Sequence, residues 1–314
     1  MNKKSPRQVT IIPKRGAMKV LPKIIDGGSL CYYLSDDYAY FMDLQGYFGA
    51  DIKINNLSGM FNEAFQEIKG ALLESLLDLN KRYDSYAWWG GRVASKSTSA
   101  TLLPLHITYF FCAQKLLLDR CENLVFIVDS SALATCLSGF SRRQGYQVSD
   151  YRSKLHTRWN KLKCYLNYVA QIGSFSLRSI KNCEAILKNL KPSLEKKSQA
   201  KKRVVIRSWV TNNAFDQSGQ FRDRNFGNLP QWLHSKGYEV WILPMFFNLL
   251  KDMDNVCARM RDCKQLFLIP EHYLKFSDYV KCLYNGYKVL STRVTGVKLN
   301  GEDISLLVNE ALRE

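Results

Sequence analysis

Histidine is scarce in this chain: His106, His156, His234 and His272 are the four among 314 residues, and they lie far apart. Nine cysteines form no CxxC pair and no Cys/His spacing of the kind a structural zinc needs, so no metal set is expected. Their odd number, and the placement of Cys112 and Cys282 inside apolar runs, suits free thiols acting as small hydrophobes in a reducing compartment. Long apolar runs are missing too. The best candidate, 102–118, is broken by His106, Gln114 and Lys115, and the N-terminal MNKKSPRQVTIIPKRG lacks the continuous apolar core of a secretory leader. A cytoplasmic protein able to lie against a membrane, but not to span one, is the expectation. HExxH, GxSxG, GxGxxG and P-loop patterns are all absent, so no cofactor is expected. Neither is a solenoid, because no repeat recurs at a fixed period.

Acidic residues are also few, 28 against 45 Lys and Arg, for a formal net charge of +17. That excess calls for acidic company: nucleic acid, an anionic membrane face or phosphorylated substrates. A hydrophobic share of 46% and a charged share of 23% belong to a folded globular chain long enough for about two domains.

Short apolar runs alternate with helical patterns. Strands are expected at 17–20, 39–44, 124–128 (LVFIV), 203–209 (RVVIRSW), 238–243, 266–269 (LFLI) and 287–290, with YAWW at 86–89 a further candidate. Helices are expected at 61–83, where Phe61, Phe65, Ile68, Leu72, Leu76 and Leu79 form an apolar stripe, and at 103–120, 229–236 and 276–285. This rhythm predicts an α/β fold: Rossmann-like parallel sheets with flanking helices, as an N-terminal lobe (1–150) and a second lobe (203–314). Between them, residues 151–202 carry thirteen Lys and Arg against Glu184 and Glu195, and read as a basic helical connector. Trp159, Tyr165, Tyr168 and Phe175 interleave with those charges, as in single-strand nucleic-acid binders. They fall largely on the apolar side of the helices, however, so a solvated or membrane-facing surface is favoured and no specific nucleic acid is expected.

Ligands of open parallel sheets bind beyond the carboxyl ends of strands. Four such places qualify. After Trp88 and Trp89, two glycines and the cations Arg92 and Lys96 could receive phosphate or carboxylate, or the tryptophans could simply pack and the glycines turn. Asp129 and Ser130 follow LVFIV; they could hold a sugar hydroxyl, although capping the next helix is the plainer reading. Glu271 and His272 follow LFLIP and could do acid/base work, although Pro270 and Glu271 also suit a first helical turn. The fourth is FRDRNFGNLPQWLHSKGYEVWILP at 221–244. Arg207 and Ser208 lie at the end of the preceding strand, and Arg222, Asp223, Arg224 and Asn225 lead to Gly227. Asn228, Pro230 and Gly237 are explained as helix punctuation. A connection of 17 residues from 210 to 226 is longer than a compact fold normally uses, which points to a functional loop.

Residues 86–97, VVIRSWV at 204–210, DRNFGNLPQWLHSKGYEVWILP at 223–244 and LFLIPEHYLKFSDYV at 266–280 together resemble a family of surface-carbohydrate biosynthesis proteins of bacteria and archaea. The resemblance implies a glycosyltransferase of the two-Rossmann GT-B type, moving a sugar from a nucleotide donor to a lipopolysaccharide or capsule acceptor at the inner membrane face. It makes Arg207, Arg222 and Arg224 candidates for phosphate or an acidic sugar, and Asp223, Glu271 or His272 candidates for acid/base work. Family members continue beyond the point matching Glu314 with a further α/β lobe. The chain is therefore read either as the front part of such a transferase or as a non-catalytic, membrane-associated binding module.

Overall fold

The computed structural model describes residues 7–25, 29–89, 93–94, 101–119, 123–152, 166, 170, 174, 186–188, 190, 202–223, 225–246 and 253–313. The chain divides into two compact units, residues 1–166 with 284–314, and residues 167–283.

The first unit is built on five parallel strands: β1 (Gln8–Pro13), β2 (Ser29–Leu34), β3 (Ile54–Asn55), β4 (Asn123–Val128) and β5 (Gln147–Asp150), in the order β3-β2-β4-β1-β5. The central strand β4, NLVFIV, has no polar residue after Asn123 and is buried from Leu124 on, as a strand covered on both faces must be. Helices α1 (Ala17–Ile24) and α2 (Tyr38–Phe48) pack on one face through Leu21, Phe41 and Leu44 against Ile12, Cys31 and Ile127. Helices α3 (Ser58–Arg82), α5 (Leu103–Asp119) and α6 (Ser131–Arg143) cover the other, with a short α4 (Tyr86–Trp89) between the first two. The α3 stripe predicted from Ile68, Leu72, Leu76 and Leu79 is the buried face.

Several expectations are corrected. Residues 17–20 and 39–44 are helical, in α1 and α2, YAWW forms α4, and 287–290 continue a helix. Four to six apolar residues look alike in either state, and tertiary burial decides: in α1 the buried pair is Ala17 and Leu21, one turn apart. Strands also form at QVTIIP and SLCYYL, two segments for which no strand was expected.

Among the described residues the second unit has three parallel strands, β6 (Arg203–Val210), β7 (Glu239–Phe246) and β8 (Leu266–Phe267), ordered β6-β7-β8. β6 alternates, burying Ile206, Ser208 and Val210 and exposing Val205, Arg207 and Trp209. Helix α7 (Leu229–Ser235) joins β6 to β7, and α8 (Met253–Asp262) buries Met253, Val256, Cys257 and Met260. Gly237, at φ +81°, ends α7 as predicted, with Tyr238 N–H returning to the Leu233 carbonyl. Asn228 is not a side-chain cap, and Pro230 alone supplies the expected N-terminal signal.

After α9 (Phe276–Ser291) the chain forms a hairpin of β9 (Lys298–Leu299) and β10 (Glu302–Asp303), then α10 (Ser305–Ala311). Val294, Val297, Leu299, Leu307 and Leu312 belong to the core of the first unit, although the sequence reading carried residues 203–314 as one lobe. Leu307 is 2% exposed there. Leu307→Ala should therefore cost about 2–5 kcal/mol in urea unfolding of the full chain. A loss under about 0.5 kcal/mol would mean that this segment does not complete the core.

Candidate functional site

In the second unit three of the residues predicted from sequence, Arg222, Asp223 and Gly227, line one cavity on the loop after β6. The loop leaves β6, makes a single 3₁₀ turn (Asn212–Ala214), and buries Ala214, Phe215 and Phe221 in the unit's core, where Phe221 meets Phe215 and Phe267 edge-on at 5.9 and 5.5 Å. With its apolar side anchored, the polar side bounds a cavity of about 400 Å³ lined by Asn213, Phe215, Asp216, Arg222, Asp223 and Gly227. Gly227 adopts φ +55°, and its N–H donates to the Asp223 carbonyl at 3.0 Å. A side chain would meet no atom within 4 Å there, so glycine is needed for the backbone conformation and not for space.

Asp223 is the unusual member, 2% exposed. Its Oδ1 accepts from the backbone N–H groups of Asn225 and Phe226 at 2.8 and 2.9 Å, which fixes the carboxylate. Its Oδ2 is buried and has no hydrogen-bond partner among the described residues. An acceptor left in that state costs free energy until a donor reaches it. Asp216 across the loop is satisfied. Its Oδ1 accepts from the Ser218 hydroxyl at 2.6 Å and from the N–H groups of Ser218 and Gln220, and these bonds, with the nearby Arg222 charge, hold its carboxyl below the usual range.

The other predicted residues of this unit stand apart from the cavity. Arg207 lies on the exposed face of β6, while Ser208 is 1% exposed on the opposite face with its hydroxyl unpartnered among the described residues. Glu271 and His272 form a 3₁₀ turn (Pro270–His272) after β8 and are not among the residues that line the cavity. Glu271 lies near Cys257, whose thiol is raised to about 11 by burial first and then by Asp254 and Glu271. Arg92, Lys96 and Arg224, and most of 151–202, lie outside the described residues. Trp88 is a packing residue, stacked on Tyr83 at 5.1 Å and donating its indole N–H to Asn80 at 2.7 Å.

In the first unit the chain leaves β2 toward β3 on one side and β4 toward β5 on the other, which is the topology that opens a crevice. Leu34, Val128 and Pro13 are level across β2, β4 and β1, so the next residues, Ser35, Asp129 and Lys14, share one sheet edge. Asp129 is fully engaged. The Ser35 hydroxyl donates to its Oδ2, and His106 Nε2 lies 3.4 Å from its Oδ1. Burial pushes the Asp129 carboxyl up, but the interactions with His106 and Ser35, together with the charge of Lys14, more than offset it and hold it below the ordinary 3.8. Lys14 pairs with Asp37 at 2.6 Å.

Ser130 caps α6, accepting from Leu133 N–H at 2.9 Å. The space beyond that helix start is filled from within. Glu310 of α10 accepts from the hydroxyls of Ser130 and Ser131 and, at 2.8 Å, from the backbone N–H of Ala132. A carboxylate of the chain thus occupies the helix start where Asp129 and Ser130 were expected to hold a sugar hydroxyl. The sequence held no signal for this, because Glu310 lies 178 residues from Ala132.

Glu310→Gln should lower stability by about 1–2 kcal/mol, read from denaturant midpoints, since it removes a charge-assisted cap. A second expectation concerns acid. A carboxyl with a lowered folded pKa contributes fully above its unfolded value and loses that contribution as pH falls through the folded one. Asp129→Asn should therefore start from a lower urea midpoint at pH 7 and decline less steeply than the parent from pH 5 downward; parallel profiles would remove Asp129 from the acid response.

No family model, curated protein or solved structure matches this chain, so the role of these sites has to be read from their chemistry.

Proposed function

We propose that the protein transfers a sugar from a nucleotide donor to a glycan acceptor in cell-surface polysaccharide synthesis, with its two units acting as the lobes of a GT-B-like enzyme. The observation that supports this reading is the free, buried Oδ2 of Asp223 beside Arg222 in the loop cavity. A rigid carboxylate lacking a donor suits an acceptor hydroxyl. It takes the hydroxyl proton as the oxygen attacks the anomeric carbon, the bond from that carbon to the donor phosphate breaks, and the nucleoside diphosphate departs. Arg222 supplies positive charge for the phosphate as it leaves, and Arg207 and Arg224 are further candidates for that role. Among the described residues no helix is long and apolar enough to cross a membrane. Contact with an anionic membrane face, where such acceptors are held, rests on the charge of residues 151–202.

The test is transfer from a panel of nucleotide sugars to lipid-linked or soluble glycans. Asp223→Asn should lower kcat by about 10²- to 10⁴-fold with KM little changed, as loss of a general base does. Arg222→Leu should instead weaken donor binding. Full turnover by folded Asp223→Asn protein would sink the assignment.

A further inference from the structure

A second cavity, of about 380 Å³, opens in the first unit beside the end of β2, where α2, α3 and α5 begin. Five aromatic residues line it, Tyr33, Tyr38, Phe41, Phe61 and Tyr109. They form two packed groups: the rings of Tyr33 and Tyr38 lie 5.5 and 6.1 Å from that of Phe41, and Phe61 meets Tyr109 edge-on at 5.2 Å. The Tyr33 hydroxyl donates to the Asp37 carbonyl and the Tyr109 hydroxyl to the Ser35 carbonyl, each at 3.0 Å. Those two hydroxyls are therefore engaged; Tyr33 is buried, while Tyr109 keeps part of its surface exposed. Tyr38, by contrast, is 69% exposed, a large ring with little packed over it.

The charge of this cavity runs against that of the chain. No Lys, Arg or His is among its described lining residues, while Asp36 lines it with its carboxylate in no described hydrogen bond or ion pair. Lys14, on the same sheet edge, is held by Asp37. The field is felt locally: burial raises the Tyr109 phenol to about 12, and the charges of Asp129 and Asp36 add to that rise. In a protein of net charge +17 this is a negative, aromatic spot. Such a surface repels phosphates and favours cations, because ring faces carry the negative end of the quadrupole and a carboxylate supplies the counter-charge.

We propose that this cavity binds a small organic cation, an ammonium group bearing methyl or hydroxylated substituents, seated among Tyr38, Phe61 and Tyr109 with Asp36 as its counter-ion. The Asn62 amide, also on the lining, is placed to bond a hydroxyl of the ligand. The inference concerns the first unit only and does not depend on sugar transfer at Asp223.

Calorimetric titration of the full chain with two matched pairs tests it: choline against its uncharged isostere 3,3-dimethylbutan-1-ol, and glucosamine against glucose. In at least one pair the cation should bind about tenfold or more tighter than the neutral member, a preference that weakens with salt. Asp36→Asn should abolish the preference, and Tyr38→Ala should weaken the cation. Both side chains are exposed, so both variants should keep the parent's melting temperature. Equal binding of charged and neutral members in both pairs, or binding by none of the four, overturns the proposal. The same titrations on Asp223→Asn protein should be unchanged, which separates failure here from failure of the transfer reading.

Discussion

The carboxylate of Asp129 is the junction on which the first unit's working edge depends. Three adjacent parallel strands end level, and a carboxylate placed there gives up part of its hydration. The Ser35 hydroxyl ties it to the end of β2 and His106 ties it to α5, and the net effect is a carboxyl held in its charged form against burial. The register that makes β4 a strand buried on both faces also delivers Asp129, Ser35 and Lys14 to one edge, so the core and the polar network have a common origin.

Asp129 and Glu310 of the first unit and Asp223 of the second are held differently. In the first, the crevice and the α6 N-terminus are satisfied internally, by Ser35, His106 and Glu310, and the open space lies to one side, among aromatic rings. In the second, backbone N–H groups hold one oxygen of Asp223 and leave the other without a donor. A satisfied carboxylate is structure. One held rigid and half satisfied is poised for a ligand, because the desolvation cost already borne by the fold is relieved when a donor arrives.

Much of the second unit was legible because its signals are local. RVVIRSW alternates as a one-faced strand, Pro230 and Gly237 bracket α7, and the length of the connection after β6 marked its loop as unusual. The first unit was harder to read. AMKVLPKI and AYFMDL are short, apolar and indifferent between helix and strand, so the sequence reading placed strands there and passed over QVTIIP and SLCYYL, which flank the central strand. Nothing within a six-residue window says on which side of a sheet it will be buried.

The sequence by itself determined the α/β class, the long amphipathic α3, the buried strand β4, the basic charge and the loop that carries Asp223, since each follows from periodicity, composition or chain length within one segment. Only the tertiary structure decided that residues 294–312 complete the first core, that Glu310 fills the start of α6, and that Asp36 stands free among five aromatic rings. Those outcomes depend on pairs of residues up to 180 apart, and a contact across such a distance is set by which surfaces remain to be buried once the strands have paired, information that no local pattern carries.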